Sequence, residues 1–572
     1  MGGPLSRSHR LPVIDDTVPV TVPVVTSSAV TSSPASGRSR MQLSVPVVAE
    51  IGVALSTPVL FVFTCRSIDV NPLDPIGKVS GLAALQFRFA GFAVVLLVAL
   101  VVAARSRRPG VAALVPRLAC GGVAGLVSGL LAGGVVVALH GTSWGFLADR
   151  GDAGQFIKWA QDVLDGHSLP RNYPPLQAYT IAGISQLTGQ PPGYAMKTFE
   201  IAGAAIFCPC AYLSWRLVLT PLWALLIGVT AALPMYDSRP VADLVLVVLV
   251  PVLIKFVEVL RGAPDRSTRS LVLAGVGFGL GIGFLFEVYY GWYVWSAPGV
   301  VLACAFVVPW GRPAARRAAA VLLGSTAATF CAVTAYNLLP LLTGDSKVKD
   351  TYFYFDIYTQ PAYFTHWFGD RPPTTLGMWP QVGDLGGVDL FTILLFVGFA
   401  AALALGRGRS PIVVVSLLVG SAWLVRFYIA QQMFHTQSVQ FYPRTNYQLL
   451  YGMLLMTGFA LMYGARHVRT ALAGRMYRRD VAFNGPALAS VLTGTMFLFA
   501  SIGGATMATF MPKNDKSAGT LAYAAQTIRK LDGRCPYFAV PPANEPLVLR
   551  VKVRTDHDPS CVPRNDPTPW WK

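Results

Sequence analysis

Long apolar runs alternate with short, arginine-bearing loops along most of this chain, and a few longer polar stretches break the rhythm. The runs at 89–104, 118–139 and 487–508 approach or exceed the roughly 20 apolar residues that carry a helix across a bilayer. Reading the same pattern throughout predicts spans at 48–64, 82–104, 118–139, 199–216, 218–234, 240–260 and 271–287. Further spans are predicted at 289–308, 318–342, 389–405, 411–430, 446–464 and 487–508. The expected fold is an all-α polytopic membrane protein of about 11 to 13 transmembrane helices. A barrel would show short segments of alternating polarity, and these are absent from the sequence.

Charge then orients the spans. Arg38 and Arg40 precede the first; Arg105, Arg107, Arg108 and Arg117 follow the second. Arg261, Arg266 and Arg269, then Arg312, Arg316 and Arg317, then Arg407 and Arg409, and finally Arg466 to Arg479 fill alternate loops. Basic residues gather on the cytoplasmic side, so the N-terminus is expected inside, the loop after the third span outside, and the C-terminus outside, in a plasma membrane. The net charge of +18 is thus topology, and no nucleic-acid partner is expected. Composition agrees, with 53% hydrophobic and only 13% charged residues. Residues 1–46, rich in Ser, Thr, Pro and Val, read as a disordered cytoplasmic tail without the build of a signal peptide. Residues 47–508 form the membrane domain, with outer loops at about 140–198, 343–388 and 431–445, and 509–572 a small outer domain. That last segment holds Cys535 and Cys561, which an oxidising exterior would let pair. Cys208, Cys210, Cys304 and Cys331 fall in spans and read as small packing residues, and the Cys208-Pro209-Cys210 spacing does not suit a metal.

Chemistry concentrates in the outer loops. The stretch 140–190 carries Asp149 and Asp152, then an amphipathic segment with Phe156, Trp159, Ala160, Val163 and Leu164 on one side. Asn172-Tyr173-Pro174-Pro175 follows, and 174–189 is short enough to be interfacial or re-entrant. Asp237, Glu287, Asp350 and Asp356 add carboxylates to the same side; Lys197, Arg239 and Arg444 add cations. Trp144, Tyr173, Tyr289, Tyr290, Trp292 and Trp367 are among the aromatics there. Carboxylates beside rings suit a sugar, whose hydroxyls need acceptors, and a cation at the membrane edge suits a lipid phosphate. Singly, each such residue also reads as an ordinary interfacial side chain. Glu287 is different, because no charge occurs from Ser270 to Phe286 before it, so it must be functional or partnered. Asp243 and Arg426 are similar outliers, with structural partners expected on other spans.

The progression Gly145-Phe146, Asp149, Asp152, Gln155-Phe156, then Asn172-Tyr173-Pro174-Pro175 and Pro191-Pro192, resembles the GT-C membrane glycosyltransferases, and within them the actinobacterial arabinofuranosyltransferases that prime cell-wall galactan. The stretches Tyr236 to Pro240 and Phe441 to Arg444 fit the same family, over about residues 80–510. The resemblance implies a polyprenyl-phosphate donor, decaprenylphosphoryl arabinofuranose, a galactan acceptor, and an inverting transfer on the outer face. Asp152 is the expected general base, ahead of Asp149, because it borders the amphipathic segment that would hold it rigid. Arg444, Arg239 and Lys197 are the expected ligands of the donor phosphate. Tyr173, Glu287, Tyr290, Trp292, Asp237, Asp356 and Trp367 are the expected sugar and acceptor contacts. No Walker loop, dinucleotide fingerprint or HExxH pattern is present, so no cofactor and no metal is identified. One departure stands out: the family carries a larger outer C-terminal domain, and only about sixty residues follow the last span here. A transporter or flippase of a lipid-linked intermediate is the alternative. It would place its polar residues near the midplane of repeated halves, whereas here they gather on one face and no internal repeat is visible.

Overall fold

The computed structural model describes residues 39–104, 109–171, 173–237, 240–343, 390–436, 442–473, 485–514, 518–541 and 561–564. The chain divides into residues 1–45 and 46–572, and the second part carries the helical bundle. Its first helices are α1 (Ser39–Cys65), α2 (Pro75–Ala104), α3 (Pro109–Ala138), α4 (Gly151–Leu164), α5 (Leu176–Thr188) and α6 (Pro192–Trp215). An apolar helix, Pro221–Met235, follows, built from α7 (Pro221–Trp223), a π turn (Ala224–Val229), α8 (Thr230–Ala232) and a closing 3-10 turn (Leu233–Met235). Then come α9 (Pro240–Arg261), α10 (Thr268–Val288), α11 (Gly291–Val307), α12 (Pro313–Thr343), α13 (Leu390–Leu405) and α14 (Ser410–Thr436). The chain ends in α15 (Thr445–Ala473), α16 (Gly485–Phe510), α17 (Gly519–Thr527) and a two-stranded ribbon, β1 (Ala539–Val540) and β2 (Val562–Pro563). The strands are antiparallel, with Ala539 opposite Pro563 and Val540 opposite Val562.

Among the described residues, eight helices are long and apolar enough to cross a membrane: α1, α2, α3, α10, α12, α14, α15 and α16. Pro221–Met235, α11 and α13 are shorter apolar helices. With α6 and α9, they place a helix on each of the thirteen stretches that hydropathy selects. The protein is a helical, multi-pass membrane protein.

Burial tells the helices apart. The apolar window of α3 is 94% buried, against 22% for α1 and α2. Its Gly-Ala-Ser face lets neighbours come close; a Cβ on Gly125 would sit 2.6 Å from the Ala54 carbonyl oxygen of α1. Around α3 pack α2, α6 and α16, while α6 leads on to α9. A second group pairs α11 with α14 and α13 with α15. In a third, α10 lies along α12 through Gly275, Gly279 and Gly283, where a Cβ on Gly279 would meet Thr329 Cβ at 2.6 Å. One helical turn further, Glu287 accepts a hydrogen bond from Asn337 of α12. The lone charge of α10 is therefore the polar end of a small-residue helix seam.

Two charge networks, one centred on a buried carboxylate and one on a buried arginine, fix different parts of the fold. Glu50 of α1, 3% exposed, pairs with Arg216 at 2.7 Å and Arg117 at 3.8 Å and accepts from the Tyr212 hydroxyl at 2.6 Å. That ties α1, α3 and α6 at the end of α3 far from the 140–150 loop. Arg426 of α14, fully buried, donates to Thr445 Oγ1 at 2.7 Å, Asn446 Oδ1 at 2.6 Å, the Tyr442 hydroxyl at 2.8 Å and the Tyr442 carbonyl at 3.3 Å. Its guanidinium also lies 3.9 Å from the centre of the Tyr442 ring. The charge outlier of α14 thus builds the short 3-10 turn Tyr442–Arg444.

Candidate functional site

The loop after α3 has its shape imposed from several directions. Leu147 and Ala148 both take positive φ, 65° and 53°, a conformation that costs side-chain-bearing residues on the order of 1–3 kcal/mol each unless neighbours enforce it. Neighbours do. The Phe146 amide donates to both carboxylate oxygens of Glu200 on α6, at 2.9 and 3.2 Å. The Leu147 amide donates to the Leu521 carbonyl of α17 at 3.0 Å, and the Trp144 indole to the Arg529 carbonyl at 3.0 Å. Gly145 is needed for this closeness, since a Cβ there would stand 2.8 Å from Glu200 Oε2. The Arg150 amide then closes back on Leu147 at 3.1 Å, and α4 begins at Gly151. Asp152 falls in its first turn, where the helix's partial positive charge favours a carboxylate. The buried face of α4, Ala153, Phe156 and Ala160, packs with Ile181 and Ala182 of α5 and Ala195 and Met196 of α6.

Beside this loop opens a cavity of about 80 Å³, several times the ~10–15 Å³ that a single water needs on the same measure. Four carboxylates line it, Asp152, Glu200, Asp237 and Asp243, with one cation, Arg444. Tyr173, Gln177, Tyr289 and Trp292 supply polar atoms and rings, and Phe146, Phe156 and Met196 its apolar wall. The cavity also collects the first turns of α4, α5, α9, α11 and α15, through Asp152, Gln177, Asp243, Trp292 and Tyr447. Helix N-termini carry partial positive charge, here set beside four carboxylates and the C-terminal end of α10 at Val288. Arg444 Nη1 donates to the Tyr289 hydroxyl at 2.8 Å. Asp243, 4% exposed, accepts the Asp237 amide at 3.1 Å, and the Trp292 indole donates to the Ala242 carbonyl at 2.5 Å. Tyr173 packs in a cluster with Trp159 (ring centres 4.8 Å apart, tilted) and Phe156 (5.5 Å, edge-on). Burial, with the Asp152 charge added, pushes its phenol above the ordinary range and keeps it a neutral hydroxyl.

Of the residues expected from sequence, Asp152, Tyr173, Asp237, Trp292 and Arg444 come together here. Asp149 does not line the cavity; it is exposed on the loop, outside α4. Lys197 does not reach it either, because its ammonium donates to the carbonyls of Leu139 and Thr142, both at 2.8 Å. Glu287 is engaged by Asn337, and Tyr290 caps α11 and packs on Phe286 at 5.5 Å. Arg239, Asp356 and Trp367 lie outside the described residues, as do Asp350 and the rest of 344–389. Cys535 and Cys561 are bonded to each other, with Cα atoms 5.9 Å apart. Among the described residues, no three His, Cys, Asp or Glu side chains are grouped to hold a metal ion.

Two lining carboxylates were not among the site candidates. Glu200 sits in a segment that hydropathy reads as membrane-spanning, although a carboxylate inside an apolar run is the same signal that singles out Glu287. Asp243 is visible as a charge outlier, but the bond from the Asp237 amide that turns it toward the cavity is not readable from spacing. No protein-family model matches the chain, and no characterised protein matches it.

Proposed function

We propose that this protein is a membrane glycosyltransferase of GT-C type that moves a sugar, with arabinofuranose the best candidate, from a polyprenyl-phosphate donor to a glycan acceptor. The observation that carries the reading is the shared cavity of Asp152 and Arg444, residues almost three hundred positions apart in the chain. One can take a proton and the other can hold a phosphate. In the reaction, an acceptor hydroxyl gives its proton to the Asp152 carboxylate as its oxygen bonds to the anomeric carbon. The bond from that carbon to the phosphate oxygen breaks with inversion, and the lipid phosphate leaves with the electron pair, its charge met by Arg444. Trp292 and Tyr173 offer ring faces to the sugar, and Asp237 and Asp243 accept its hydroxyls. The outer face of a plasma membrane follows from the arginine distribution, and a galactan acceptor from the family resemblance.

The test is transfer of radiolabelled pentose from polyprenyl phosphate to galactan oligosaccharides by purified protein. Asp152→Asn is expected to lower turnover by about 10²–10⁴-fold, with donor binding and yield kept, because the amide holds the shape but takes no proton. A transporter or flippase would move labelled lipid between leaflets of proteoliposomes and form no glycosidic bond.

A further inference from the structure

The C-terminal segment has no part in the chemistry above, yet it is bonded to the Asp152 loop more closely than a tail requires. Gln526 of α17, fully buried, donates through Nε2 to the Ala138 carbonyl at 3.1 Å and the His140 carbonyl at 2.7 Å. It thereby satisfies two carbonyls left over where α3 ends. The Thr142 hydroxyl, buried as well, donates to the Ala525 carbonyl at 2.7 Å and accepts the Trp144 amide at 3.3 Å. The Leu147 amide, at the first positive-φ residue, is held by Leu521. The Tyr537 amide donates to the Gly141 carbonyl at 3.0 Å. Each of these bonds spans well over half the chain, and each ends on the loop or its root.

The segment is in turn closed on itself. The Cys561 amide donates to the Thr527 carbonyl at the end of α17 at 2.9 Å, the Arg564 amide to the Phe538 carbonyl at 3.0 Å, and the Cys535–Cys561 disulfide ties these two ends. A short helix with little core of its own is thus anchored on both sides, by the ribbon and by the loop.

The geometry points to α17 as an internal clamp that enforces the left-handed Leu147-Ala148 turn and so sets where Asp152 enters the cavity, with Thr142 and Gln526 as its positioning residues. Neither side chain lines the cavity. The role of the clamp in catalysis rests on the glycosyltransfer reading; its role in shaping the loop does not.

The experiment compares full-length parent with Thr142→Val, Thr142→Ser and Gln526→Leu, by steady-state transfer from polyprenyl-phosphate pentose and by hydrogen exchange at the Leu147 amide. Valine keeps the shape of threonine without its hydroxyl, and serine keeps the hydroxyl. The expected result is a fall of about tenfold in kcat for Thr142→Val and Gln526→Leu, the size a lost buried hydrogen bond gives. KM for the donor should stay within about twofold, Leu147 should lose protection in those two variants, and Thr142→Ser should behave like the parent in both measurements. Loss of protection with kcat unchanged overturns the positioning role, and unchanged protection in both variants overturns the clamp. If Gln526→Leu fails to fold, the Thr142 pair decides between these outcomes by itself. If the parent transfers no sugar, the glycosyltransfer reading falls, and exchange at Leu147 still decides the clamp: protection lost in valine and kept in serine supports it, and no difference overturns it.

Discussion

Glu50 and Glu200 are both buried carboxylates on helices that flank α3, and the bundle treats them in opposite ways. Glu50 is surrounded by matched groups, with Arg216, Arg117 and the Tyr212 hydroxyl all directed at it. Glu200, 2% exposed, accepts the Phe146 backbone amide, and its side chain borders the cavity. A cation one turn away on its own helix, Lys197, spends its donors on loop carbonyls instead. The arginines divide the same way. Arg426 is enclosed by the turn it builds, whereas Arg444, carried by that turn, faces the cavity. Where a membrane protein closes a charge with a complementary partner, the charge is architecture. Where it sets the charge beside a space, the space is a candidate site.

That contrast is broken most forcefully at Glu50. Glu50→Gln leaves the Arg216 guanidinium, 17% exposed, without its counter-ion, and breaking a buried pair from one side costs about 3 kcal/mol. Thermal unfolding in detergent is the measurement, and the substituted protein should melt well below the parent. The double variant Glu50→Gln/Arg216→Met should recover part of the loss, because it removes both charges together.

At Arg444 the expected effect is on ligand rather than on stability. A guanidinium can grip a phosphate with two donors and a lysine with a point charge only. Arg444→Lys is expected to weaken binding of a polyprenyl phosphate by about tenfold and Arg444→Ala by about a hundredfold, the range of one or two charge-assisted hydrogen bonds. Titration calorimetry in detergent would measure both. Parent-like binding by the two variants would reduce Arg444 to an interfacial anchor.

These residues also mark how far sequence alone reaches. Apolar run length found the thirteen apolar stretches that hold helices, because a membrane demands it, but not α17, and loops expected on one side put Asp152 and Arg444 in the same candidate set. Seam and clamp are a different matter. Gly275, Gly279 and Gly283 are spaced to face one helix, but no pattern in α10 names α12 as that helix. The Lys197 carbons and charge look like those of any phosphate ligand until the carbonyls of Leu139 and Thr142 are in place around its ammonium. Residues 519–527 read as the start of a polar tail, since their partners in the 138–147 region lie far back in the chain. Local periodicity records which face is apolar; it does not record which backbone carbonyl a buried Gln526 will find.

The smallest effect belongs to Glu200, and it is the sharpest comparison because the same substitution applies. Glu200→Gln alters a carboxyl that has no ion pair within 4.0 Å among the described residues, and the new side chain keeps a carbonyl oxygen with which to accept the Phe146 amide. A hydrogen bond between neutral groups is worth about 1 kcal/mol net, and the carboxylate's version only somewhat more. The side-chain amide is neutral, so it adds no desolvation cost of a charge. The stability change is therefore expected within about 1 kcal/mol of the parent, against the loss of about 3 kcal/mol for the identical change at Glu50. Glu200→Leu, which cannot accept the amide at all, should lower stability further and release exchange at Phe146, while Glu200→Gln should leave that amide protected. Equal losses for Glu→Gln at the two positions would mean that Glu200 is held by charge after all, and the distinction between the closed carboxylate and the one beside the cavity would be wrong.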